Sequence, residues 1–149
     1  MTKLHRVPQQ TTLHMELQQE AIRVFKQIGE KNSYIREIRI AGPWVPENYK
    51  PGQMELILDK ISGVTYGVPT IHVGIITSQD IYEQDTKPVL ENKKMYGISR
   101  EFEQKFGVNV VVRMTPSKEL NGTMLSLQEA EAYMFGDKTE VYTPVLCKQ

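Results

Sequence analysis

Apolar residues recur along this chain at two different spacings, and the spacings divide it into elements. Leu17, Ala21, Val24, Phe25 and Ile28 fall at i, i+4, i+7, i+8 and i+11, one face of an amphipathic helix. Thr11 or Thr12 is placed to cap that helix, and Gly29 to stop it. From Ile35 to Ala41 the period drops to two. Ile38 and Ile40 share one face of a strand, and Glu37 and Arg39 take the other. A second strand is expected over residues 54–58, with Met54, Leu56 and Leu58 on one side and Gln53, Glu55, Ile57 and Asp59 on the other. Residues 70–77 are apolar on both faces, the mark of a buried strand. Residues 78–88 are polar and read as a loop. Met95, Ile98, Phe102 and Phe106 then stripe a helix over about 91–106, which Gly107 ends. The β-branched run 108–114 carries the strongest strand signal in the chain. Ser126 and Glu129 form a capping box for a helix with Leu127, Ala130 and Met134 inward. Residues 140–146 are expected as a closing strand, and residues 1–11 as an extended arm kept out of a helix by Pro8.

The order, roughly α-β-β-β-α-β-α-β, predicts an α/β (α+β) fold, a mixed sheet of about five strands flanked by helices. Ile38, Ile40, Ile71, Val73, Val110 and Val112 are expected in one core, and the methionines at 15, 54, 95, 114 and 134 fit core positions. A chain of 149 residues suits one domain, 1–149. Lys plus Arg equals Asp plus Glu at 18 each, so no overall charge draws the protein to nucleic acid or an anionic membrane. The single cysteine, Cys147, allows no disulfide within the chain, which favours a reducing, cytoplasmic compartment. No N-terminal apolar core suggests a signal peptide, and no apolar run reaches membrane-spanning length.

Candidate chemistry gathers around residues 34–59. The first strand runs into the loop Gly42–Gly52, which opens Gly42-Pro43-Trp44 and holds three prolines (Pro43, Pro46 and Pro51), and the next strand carries Glu55. Glu55 reads as a metal ligand or as a charge on a solvated sheet face. His72, in an apolar strand, reads as a base or ligand, or as a hydrogen-bonded core histidine. Trp44 reads as an exposed anchor or as a plug at the core edge. Gly42, Trp44 and Tyr49 are the candidate binding residues, because prolines stiffen the loop and aromatic rings give large contact area with few rotors.

In this layout the chain resembles the minimal nucleotidyltransferases of the DNA polymerase β type. The resemblance covers about residues 15–116. It rests on Gly42 at the end of a strand, a loop of the right length, Gln53-Met54-Glu55 where the family has Asp-x-Asp, and FEQKFGVNVVVRMTP as a helix-Gly-strand unit. Pro43 stands where the family has Ser, Gln53 replaces the first acid and Glu55 the second. The third acid would fall near Val111, between Asn109 and Arg113. Two carboxylates two strand residues apart lie about 6.6 Å from one another and can share Mg²⁺. Gln53 supplies no charge, and Glu55 and Asp59 would be about 13 Å apart along a strand. The resemblance therefore implies a catalytically degenerate scaffold, a binding or regulatory protein whose partner is another protein, as in a toxin–antitoxin or defence-type pair. It also implies that the Gly42–Gly52 loop lies over the former nucleotide site. One alternative is an active, Mg²⁺-dependent nucleotidyltransferase with an unusual site at Glu55, Asp59 and His72, Glu55 holding the metal and a nucleotide as ligand. Another is a small inhibitor or immunity protein of unrelated α/β fold.

Overall fold

The computed structural model describes residues 11–50, 56–78, 87–117 and 127–148, with the backbone alone at 87–92, 116 and 127. In chain order the elements are β1 (Thr11–Leu13), α1 (Met15–Lys31), β2 (Ile35–Ala41), β3 (Trp44–Pro46), β4 (Ile57–Leu58) and β5 (Thr65–Tyr66). There follow β6 (Thr70–Ser78), α2 (Lys87–Phe106), β7 (Asn109–Ser117), α3 (Leu127–Phe135), a 3₁₀ helix (Gly136–Val141) and β8 (Thr143–Cys147).

Four strands form the main sheet, in the order β7-β6-β2-β8. β6 and β7 run parallel, the arrangement that a helical crossover such as α2 permits, and β2 is antiparallel to β6 and β8. The fold is thus a mixed α+β one, as expected. Among the described residues the main sheet has four strands where about five were expected, because Ile57–Leu58 pairs with Thr65–Tyr66 in a separate two-stranded ribbon. A second ribbon joins β1 to β3. That pairing overturns two expectations at once. The prolines do not exclude 44–46 from regular structure, since a proline at the end of a short ribbon strand is tolerated. Thr11 and Thr12 lie in β1, and His14 caps α1, its Nδ1 accepting from Leu17 N–H at 3.4 Å. Residues 1–10 of the expected arm lie outside the described residues.

The two faces of the sheet carry different cores. On one face Ile38, Ile40, Ile71, Val73 and Ile75 pack with Leu17, Ala21, Phe25 and Ile28 of α1 and Met95 and Phe102 of α2. The six-residue core expected from the strand pattern is present. Val110 and Val112 are its half-buried members, because β7 is an outer strand of the sheet. On the other face Ala41 and Ile76 pack with Ile61, Ala130, Met134, Phe135 and Tyr142. Met15, expected inside, is 52% exposed.

α1 runs past Gly29 to Lys31, and the glycine serves packing instead. A Cβ there would lie 2.3 Å from Leu146 Cδ2. The helix ends at Asn32, whose Nδ2 donates to Ile28 C=O at 2.8 Å. α2 begins at Lys87, earlier than expected, with Pro88 in its first turn, where a missing N–H costs nothing. The closing strand starts three residues late, at Thr143, after the 3₁₀ helix.

Gly74 of β6 marks where α3 sits closest to the sheet. A Cβ would fall 2.6 Å from Phe135 Cε1 and 2.7 Å from Met134 Sδ. Met134 can shift, but the Phe135 ring is fully enclosed. Gly74→Val is expected to cost about 2 kcal/mol through overpacking, read as a lowered urea midpoint with an unchanged slope. An unaltered midpoint would mean that α3 rests loosely.

Candidate functional site

β6 presents Ile71, Val73 and Ile75 to the first core, so His72, Gly74 and Ile76 face α3. His72 lies opposite Ala41 of β2 and Val111 of β7, in the middle of the sheet. Asp59 reaches it from the end of β4. The structure therefore brings together two of the three residues proposed from sequence as a site: His72 Nε2 lies 2.6 Å from Asp59 Oδ2. Glu55, the third, and Gln53 lie outside the described residues.

The turn after β4 is built for this reach. Asp59 N–H donates to Val64 C=O, and Gly63 N–H donates to Asp59 C=O, each at 2.8 Å. Ser62 folds back so that its N–H and Oγ–H both donate to Asp59 Oδ2, at 3.0 and 2.6 Å. Lys138 of the 3₁₀ helix donates to Ile61 C=O and ties the turn to the chain end. Asp59 is 3% and His72 7% exposed, so the pair is enclosed.

Burial pushes the Asp59 carboxyl up, but the hydrogen bonds from His72 and Ser62 outweigh it and hold it below its ordinary value. An ionised carboxylate only accepts, so Nε2 of His72 carries the proton that is donated to Asp59 Oδ2. Asp59 Oδ1 is buried and has no hydrogen-bond partner among the described residues. Tyr142, also buried, lies close enough to feel the Asp59 charge. Burial raises its hydroxyl pKa, Arg113 pulls it down and Asp59 adds to the rise.

A second charged cluster lies on the same face nearer α3. Arg39 bonds Glu37 Oε1 at 2.8 Å and also pairs with Glu131, and its guanidinium lies 4.4 Å from the Phe135 ring centroid. Desolvation raises the Glu37 pKa, with Arg39 acting against it and Glu131 adding to it. A carboxyl held above its ordinary 4.5 is least costly when protonated, so its contribution to stability is best below pH 4.5 and declines as pH rises towards the raised value. Glu37→Gln is expected to remove that decline, leaving urea stability flatter above pH 4.5 and within about 1 kcal/mol of the parent at pH 7. An unchanged pH profile would show that Glu37 is not the group responsible.

Gly42, Trp44 and Tyr49 are placed as follows. Gly42 has φ +83°, and a Cβ would meet Thr70 C=O at 2.7 Å, so only glycine fits the turn. Its carbonyl accepts from Gln18 Nε2 at 3.0 Å, a buried contact across the helix–loop junction. Trp44 is half-buried, packs on the second core and has Lys60 Nζ 5.9 Å from its ring centroid. Tyr49 is half-buried with its ring edge-on to His14 at 6.2 Å. Sequence reasoning did not single out Gln18, Glu131 or Tyr142, and read Ser62-Gly63 only as a turn. Gln18 alone left a signal, lying with Ile22 and Phe25 at i, i+4 and i+7.

Mg²⁺ does not fit the described residues. It demands six oxygens in an octahedron and keeps several waters. Asp59 Oδ2 is already taken by three donors, and only the enclosed Oδ1 remains. Among the described residues no three His, Cys, Asp or Glu gather where they could hold a metal.

Fold and site define an α+β domain with an Asp–His pair locked between a ribbon and its main sheet. Comparison with known proteins found no family model, no curated protein and no solved structure that matches the chain. Among the described residues no helix is long and apolar enough to cross a membrane.

Proposed function

We infer that the protein works by binding another protein and not by transferring nucleotides. The observation that carries this reading is that Asp59 and His72, two of the residues in the proposed active centre, bind each other, with Asp59 also held by Ser62. Their geometry is that of a fastener. It joins the β4–β5 turn to the centre of the sheet and leaves one carboxylate oxygen enclosed. The described part of a nucleotidyltransferase-like site is also rearranged, since Ile57–Leu58 stands outside the main sheet and β6 takes the place beside β2. Incubation with labelled nucleoside triphosphates and Mg²⁺ or Mn²⁺ tests the reading. No incorporation is expected. Incorporation that disappears in His72→Gln or Glu55→Gln overturns it.

The enzymatic alternative draws on one observation, the carboxylate-oriented imidazole, since an Asp–His hydrogen bond is how a general base is aligned. It requires His72 to meet a ligand. An NMR titration with Mg²⁺–ATP that moves the His72 ring signals would favour it, and unmoved ring signals would favour binding.

A further inference from the structure

α2 and the outer edge of β7 bound a groove of about 600 Å³, lined by Met95, Arg100, Glu103, Val110, Val112 and Met114 among others, with the Glu103 carboxylate engaged by the Val110 N–H. The direction of the β7 backbone there follows from the ladder. Asn109 N–H donates to Pro69 C=O at 2.8 Å, so Asn109 turns its backbone groups towards β6. With period two, Val111, Arg113 and Thr115 do the same, and Val110, Val112 and Met114 turn theirs outward. Val110 confirms the phase, since its N–H is taken by Glu103 Oε2 at 3.0 Å. Pro116, the next outward position, has no N–H. The N–H groups of Val112 and Met114 and the C=O groups of Val110, Val112 and Met114 thus form a short open ladder. No partner for them lies among the described residues.

An open edge beside a helix is the setting in which an extended peptide adds as one more strand, its backbone giving affinity and the groove reading alternate side chains. The walls state what those side chains are. Met95, Val110, Val112 and Met114 give an apolar floor. Arg100 is exposed on the lip, with its guanidinium 5.3 Å from the centroid of the Tyr96 ring, which is itself 63% exposed. Arg100 makes no ion pair among the described residues.

We propose that this groove receives an extended peptide by strand addition along Val110–Met114, with alternate apolar side chains on the floor and a carboxylate on Arg100. The proposal rests on the binding reading and names its surface and the chemistry of its partner. The test uses a capped peptide, acetyl-TVTETVT-amide, whose valines and glutamate share one face of the strand, and amide hydrogen exchange read by NMR. Saturating peptide is expected to slow exchange at Val112 and Met114 at least tenfold and to leave Val111 and Arg113, already bonded to β6, unchanged. Arg100→Glu should weaken the acidic peptide at least tenfold and tighten the lysine counterpart, acetyl-TVTKTVT-amide. Absent or non-alternating protection, or equal affinity of the acidic peptide for Arg100→Glu, overturns the proposal. So does a concentration-dependent dimer that protects the same two amides without peptide, which would assign the edge to a second copy of the chain. Alternating protection alongside His72-dependent nucleotide incorporation would keep the groove and overturn the non-catalytic reading.

Discussion

His72→Leu is expected to destabilise the protein by about 3 kcal/mol at pH 7, the low end of what is lost when one member of a buried pair is removed. The loss falls at the low end because Asp59 keeps the two donors of Ser62 after the imidazole is gone. Asp59→Leu alone should cost a similar amount, since it strands an enclosed imidazole and opens the 59–64 turn. The double variant should cost clearly less than the sum, because two apolar side chains leave no buried charge uncompensated. A double-mutant cycle by urea unfolding measures the difference. Coupling below about 0.5 kcal/mol would show that the 2.6 Å contact carries little free energy.

The same pair sets an acid limit on stability. The Asp59 carboxyl is held below its ordinary 3.8, so the unfolded chain binds the proton first as pH falls. Its contribution is fully present above pH 3.8 and is lost as pH drops through the lowered folded value. Glu37 acts in the opposite sense at higher pH, because its carboxyl is raised. Asp59→Asn should therefore flatten the acid side of the curve and leave the Glu37 decline above pH 4.5 in place. A variant that keeps the full acid slope would show that another carboxylate governs it.

The sequence exposed those parts of the fold whose signal is local and long enough to repeat. The α1 stripe, the buried β6 run and the β7 run each span many residues, and each forms its element to within a few positions. β1, β3, β4 and β5 have two or three residues, too few for an alternation to show; β1 and β3 are made by pairing across α1 and β2, and β4 and β5 by pairing across the 59–64 turn. Gly29 read as a helix stop because glycine commonly ends helices, whereas here its missing side chain admits Leu146. At the site, His72 was visible as a polar residue in an apolar strand, and Asp59 as an acid at the end of an expected strand. Their contact was not, since it depends on a ribbon folding back over a sheet face. Glu131 and Tyr142 come from the last third of the chain and reach that face only through α3 and the 3₁₀ helix.

Phe25→Ala is expected to have the largest effect of any single truncation considered, about 4 kcal/mol. Phe25 has no exposed surface and belongs to the core that joins α1 to β2 and β6. Its neighbours on the helix face, Ala21 and Ile28, are buried as well, so solvent cannot fill the space it leaves. The lost transfer energy and the cavity add, and rigid strands on the far side limit collapse. At this chain length the melting temperature should fall by about 10 °C. Met15→Ala on the same helix removes a side chain that is half in solvent and should change stability by no more than about 0.5 kcal/mol. If the two variants exchanged magnitudes, α1 would be rotated on the sheet and both cores would need redrawing. The same helix holds Gly42 through Gln18. Loosening α1 should therefore also free the glycine turn, seen as faster amide exchange at Gly42 in Phe25→Ala than in Met15→Ala. Equal exchange at Gly42 would show that the turn is held by β1–β3 pairing and the Thr70 side alone.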